Sequence, residues 1–135
     1  MLNFEQIRGH LLARYKLTTS EPFLVCVRLS LDKGRRHQSI YFAELEHEDG
    51  RRFIRVSTVL GPTTGVDLKR ALAFNWESPV GYLALSPLDG VPYLQLCENR
   101  PYEGLDAAEL DRLVLEIGGV GDRIEHQLTA GGDLL

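Results

Sequence analysis

"LVLEIGGVGDRIEHQL", residues 113–128, is the stretch whose reading decides the fold. It has the apolar rhythm of an amphipathic helix, yet Gly118, Gly119 and Gly121 sit in its middle. Glycine in a helix interior costs ~1 kcal/mol relative to alanine, so the segment is either a helix with a reason for its glycines or a ligand-cradling loop. A dinucleotide fingerprint needs a third glycine where Ile124 stands, and a preceding strand where a helical run stands. A P-loop needs Gly-Lys-Ser/Thr, and Asp122-Arg123 replaces it. A Gly-x-x-Gly clamp from Gly118 to Gly121 would bring Glu116, Asp122 and Glu125 against a phosphate backbone, which they repel. The apolar positions Leu110, Leu113, Val114, Ile117, Val120, Ile124 and Leu128 keep helical phase straight through the glycines. The segment is therefore expected to be a continuous or slightly kinked helix whose small residues admit another backbone closely.

Outward from this helix, Asp106 with Glu109 forms a capping box that starts it, and Asn3 with Gln6 starts a first helix carrying Phe4, Ile7, Leu11 and Tyr15. The run Thr18–Pro22 breaks that pattern. Residues 23–31 alternate, with Val25, Val27, Leu29 and Leu31 on one face and Cys26, Arg28 and Ser30 on the other. Residues 38–46 and 53–61 read as two further strands, joined through a turn at Asp49-Gly50, so 23–61 is expected to be a three-stranded meander. A short helix over 66–77, with Leu68, Ala71 and Leu72 on one stripe, stops at Ser78-Pro79. Residues 80–97 hold two strands joined at Asp89-Gly90, and "TAGGDLL" (129–135) is expected to fray. The order α-β-β-β-α-β-β-α gives an α+β domain spanning 1–135, with a five-stranded antiparallel sheet and helices packed on it.

The chain has 135 residues and a net charge of −4. A strongly basic surface for a nucleic acid is thereby disfavoured. Residues 98–135 carry nine acidic and three basic side chains against ten and twelve before them, so the acidity lies in the closing segment. The N-terminal residues hold no signal-peptide core and no apolar run is long enough to span a membrane, so the protein is expected in the cytoplasm, away from membranes. Cys26 and Cys97 lie in strand-like runs and read as buried, inert thiols rather than a disulfide or a nucleophile.

Catalytic chemistry finds no foothold here. His10, His37, His47 and His126 show no metal-ligand spacing, and no activated-serine context occurs. The cluster Glu46, His47, Glu48 and Asp49 reads as a solvated hairpin tip, because alternate strand residues point opposite ways. Arg35-Arg36 and Arg51-Arg52 flank turns at opposite ends of the 38–46 strand, roughly 30 Å apart at about 3.3 Å per residue, and cannot form one phosphate surface. No metal, cofactor or catalytic residue is expected.

The stretch 68–128 resembles the type III secretion chaperone-like superfamily, which includes the class I effector chaperones and the YbjN-type proteins. Leu72 and Asn75 stand at the family's second-helix positions, Gly81 and Leu83 in the following strand and Asp89-Gly90 at the hairpin. Leu105, Asp106 and Leu110 open the closing helix. "Val-Gly-Tyr-Leu-Ala-Leu" before the hairpin is similar to the YbjN branch. The resemblance implies a non-catalytic homodimer that binds a polypeptide on hydrophobic surface. The residues alone point the same way: Phe23, Tyr41, Phe42, Phe53, Phe74, Trp76, Tyr82 and Tyr93 either fill the core or lie at an interface, where aromatics are enriched. Phe74, Trp76 and Tyr82 are the candidate contact residues of a two-fold dimer. The competing expectation is a small enzyme or ligand-binding domain whose site is assembled from scattered residues.

Overall fold

The computed structural model describes Met1 and residues 3–129. Asn3 caps the first helix, α1 (Phe4–Arg14), by accepting the Gln6 N–H at 2.9 Å, as its sequence demands. The strands are β1 (Lys16–Glu21), β2 (Leu24–Leu31), β3 (Arg36–Glu46), β4 (Arg52–Pro62), β5 (Tyr82–Leu88) and β6 (Val91–Pro101). Helix α2 (Leu68–Glu77) separates β4 from β5, and α3 (Ala107–Thr129) closes the described chain. The strands form one antiparallel sheet in the order β1-β2-β3-β4-β6-β5.

The sheet has six strands, where the alternation predicted five. The residues expected to break the pattern, Thr18–Pro22, instead belong largely to β1, which pairs with β2 across a bulge between Leu17 and Thr19. Only Leu17 of this strand packs on the core. A two-period apolar signal therefore never develops, and the polar composition suits an exposed margin. Pro22 ends the strand, where no ladder hydrogen bond is required of it. Helix α2 begins two residues later than expected, because Asp67 caps it through the N–H groups of Lys69 and Arg70. At the β5–β6 hairpin Asp89 and Gly90 both take positive φ (50° and 81°), the left-handed pair that the Asp-Gly dipeptide announces.

One face of the sheet carries the core. Val25 and Val27 of β2, Ile40 and Phe42 of β3, and Ile54 and Val56 of β4 are fully buried there. They meet Leu110, Leu113, Val114 and Ile117 of α3 and Phe4, Ile7 and Leu11 of α1. Helix α3 runs unbroken through its glycines, and two of them touch the sheet. A Cβ at Gly118 would lie 2.5 Å from Leu29 Cδ2, and one at Gly121 2.5 Å from Thr58 Cγ2. Gly119 faces open space. Beneath Gly121, buried Gln38 donates to the Thr58 hydroxyl at 2.7 Å, which in turn donates to the Ser39 carbonyl at 2.7 Å. The fray expected over 129–135 falls almost wholly outside the described residues.

Helix α1 is tied to α3 by one carboxylate. Asp111 Oδ1 accepts from the Tyr15 hydroxyl at 2.7 Å and lies 3.0 Å from His10 Nε2, while Arg14 Nε stands 3.3 Å from Oδ2. Burial pushes the Asp111 carboxyl up, but the hydrogen bonds from Tyr15 and His10 and the charges of His10 and Arg14 outweigh it and hold it below the usual range. A carboxyl lowered on folding stabilises the native state above its ordinary pKa, and that contribution fades as pH falls through the folded value. Asp111→Asn is therefore expected to cost ~1–2 kcal/mol at neutral pH. Chemical denaturation at stepped pH should show the loss vanishing in acid; a loss independent of pH would contradict this account.

Candidate interaction surfaces

Two surfaces lie outside the core. The first begins at Asn75 in α2, whose side-chain amide replaces a neighbouring strand. Its Oδ1 accepts from the Leu83 N–H at 2.6 Å and its Nδ2 donates to the Leu83 carbonyl at 3.1 Å. Helix α2 is thus moored along the outer margin of β5. Only Ala71 of α2 is buried, and Phe74 packs partly against the core. The stripe read from the sequence divides: Ala71 turns in, while Leu68, Leu72 and then Trp76, spaced four apart, are 63%, 69% and 90% exposed. Short Ala71 is what lets the helix sit close, and the larger side chains are left outside. Leu72 and Leu68 join Leu83, Ala84 and Leu85 around an apolar groove of about 280 Å³. Asn75→Ala is expected to cost ~2–3 kcal/mol, since it strands a part-buried N–H and C=O together. Thermal melts measure this; a melting temperature unchanged from the parent would contradict the mooring.

The second surface is the sheet face turned away from the helices. Register places Cys26, Tyr41, Ser57, Cys97 and Tyr82 in one row across β2, β3, β4, β6 and β5. The two tyrosines lie against the two thiols, and the Tyr82 hydroxyl donates to Asn99 Oδ1 at 3.0 Å. Burial pushes the Cys97 thiol up, against a smaller lowering by Arg55, so it stays protonated and is a poor nucleophile. Cys26 is likewise a buried free thiol, and the two are separated by β3 and β4.

The three candidate contact residues do not point one way. Trp76 projects from α2, Phe74 turns toward the core, and Tyr82 lies on the open sheet face. Of the eight large rings weighed from the sequence, only Phe42 is fully buried, while Phe23 and Trp76 are mostly exposed. Leu68, Leu72 and Leu85, which complete the apolar patch around Trp76, were missed because helical periodicity marks a stripe without saying which way it faces.

The residues weighed for chemistry stay apart or are occupied. Arg36 pairs with Asp122 at 2.9 Å and with Asp32 at 3.3 Å, and Arg51 with Asp49 at 2.7 Å, at opposite ends of β3. His47 Nδ1 lies 3.1 Å from Asp49 Oδ1 within a hairpin turn. A groove of about 430 Å³ at the start of α3 is lined by Arg100, Glu103, Asp106, Glu109 and Arg112. There Arg100 lies 3.5 Å and Arg112 2.8 Å from the Glu109 carboxylate. Among the described residues, no three histidine, cysteine or acidic side chains converge as metal ligands. No described helix is long and apolar enough to cross a membrane.

No protein-family profile matches the chain. No curated protein matches its sequence. Solved structures do match. A chain of the HopA1–SchA chaperone–effector complex superposes with a TM-score of 0.60 at 13% identity, over 89% of this chain and 88% of that one. The Yersinia pestis type III secretion chaperone SycH, solved in complex with a stable fragment of YscM2, gives 0.55 at 17% identity, over 88% and 94%. At such identities the likeness is one of architecture, carried by the three helices, the antiparallel sheet and their order. The chain has the α+β fold of the type III secretion chaperones.

Proposed function

We propose that the protein is a non-catalytic, chaperone-like binding module that works as a homodimer and holds a partner polypeptide. The observation that carries this is the apolar stripe of α2, moored by Asn75 beside β5 with Leu68, Leu72, Trp76 and Leu85 in solvent. A contiguous apolar patch on a small domain marks an interaction site. The patch is self-complementary in chemistry, as a two-fold contact requires. Phe74 supports it from beneath, while Tyr82 lies on the other face of β5. The architecture shared with a chaperone–effector complex and with a chaperone solved on a fragment of YscM2 supports polypeptide as the partner class. The Val-Gly-Tyr-Leu-Ala-Leu sequence of residues 80–85 and the Asp-Gly hairpin after it favour the YbjN-type branch of that fold, and a cytoplasmic setting suits two reduced, buried thiols.

The test is affinity capture of the tagged chain from its native lysate, with mass spectrometry and gel filtration of the purified protein. A dimer that retains one stoichiometric polypeptide is the expected result. A monomer that consistently retains a small molecule would overturn the proposal and favour a ligand-binding domain.

A further inference from the structure

The open sheet face carries mostly positive charge. Strand alternation turns Glu44 and Glu98 to the helical side, where Tyr102 donates to Glu44 at 2.8 Å and Arg100 pairs with Glu98 at 2.9 Å. The opposite face receives Lys16, Arg28 and Arg55, and its one in-strand acid is Glu21, at the far end of β1. None of these three cations has a hydrogen bond or ion pair to a carboxylate among the described residues, whereas Arg14, Arg36, Arg100 and Arg112 are all engaged by acids of the helical layer or its rim. Arg55 is the telling one. It is half-buried near the middle of the sheet, in register with Ala43 and Asn99 and close to Tyr82 and Cys97. A guanidinium withdrawn from water without a carboxylate is costly unless an anion completes it.

We infer that this face docks an acidic polypeptide segment, whose carboxylates meet Arg55 and Arg28 and whose apolar side chain rests on Tyr41 between them. Arg28 and Arg55 stand two strands and four residues apart, about 16 Å at ~4.8 Å per strand and ~3.3 Å per residue, which an extended segment of about five residues spans. Tyr41 is on the intervening strand and on the intervening row. Arginine is suited to the task because its planar fork takes a carboxylate through two parallel hydrogen bonds. The inference rests on the proposal that the partner is a polypeptide, and adds which surface and which chemistry.

The probe is a fluorescent peptide of about twelve residues containing spaced glutamates and one tryptophan, with a copy in which every glutamate is glutamine. Anisotropy titrations of the full chain are expected to show the glutamate peptide bound about tenfold more tightly, with the advantage lost at about 500 mM NaCl. Arg55→Gln and Arg28→Gln should each remove most of it, and Arg35→Gln, in the β2–β3 turn, should not. Circular dichroism of each variant verifies its fold. Equal binding of the glutamine peptide, or indifference to Arg55→Gln, overturns the inference while leaving polypeptide binding intact. Preference for oligothymidylate over the glutamate peptide overturns it in favour of a nucleic-acid surface. Failure of both peptides overturns it too, and lysate capture then decides the broader proposal alone.

Discussion

Gly121→Val is expected to destabilise the protein by ~2–4 kcal/mol, with Gly121→Ala costing ~1–3 kcal/mol, in the range of overpacked cores. The atom in the way is Thr58 Cγ2, 2.5 Å from the position of an added Cβ. Thr58 cannot yield, because its side chain is β-branched, fully buried and hydrogen-bonded on both sides by Gln38 and Ser39. Gly118→Ala meets Leu29 at the same distance, but there the obstacle is the far end of a flexible, partly exposed leucine, so helix propensity recovers much of the cost. Gly119→Ala touches nothing and should raise stability by ~0.5–1 kcal/mol. Three neighbouring glycines thus carry three different expectations. Urea melts of the single variants decide them, and a destabilised Gly119→Ala would show that the segment is no continuous helix.

Leu72→Glu combined with Trp76→Glu is expected to convert the proposed dimer to a monomer of 15.2 kDa in sedimentation, raising its dissociation constant at least ~100-fold. Each substitution removes a large apolar side chain and introduces a charge that must be desolvated in the contact. Both side chains are exposed in the protomer, so its melting midpoint should move little once the contribution of dimerisation is subtracted. Arg123→Glu, on α3, is the charge-changing control. A parent protein that already sediments as a monomer at tens of micromolar would remove the basis for the dimer.

Helix α3 was legible because its apolar period survives the glycines; Gly118 and Gly121 do make room, but for the side chains of Leu29 and Thr58 rather than for the backbone that was expected there. The β2–β4 meander and the β5–β6 hairpin were legible from alternation and Asp-Gly turns. Strand β1 was hidden because it is polar and at an edge, with tertiary pairing supplying what propensity lacks. The outward stripe of α2 was hidden for a different reason. Leu68 and Leu72 look like core residues until Asn75 is seen to fix which side of the helix meets β5. Asn75 was noticed only through family resemblance, since no local pattern announces an amide that stands in for a strand. The row of tyrosines and thiols required the register, which no single strand reveals.

The amide of Asn75 also bears on how such sheets misassemble. Endless edge-to-edge stacking needs two vacant borders per molecule, one to offer and one to receive. Here one border is stoppered by a side chain, and the other, β1, is interrupted by its bulge. A newcomer joining at β1 would present its own stoppered border or end the row, so fibre growth by this route halts after a single addition.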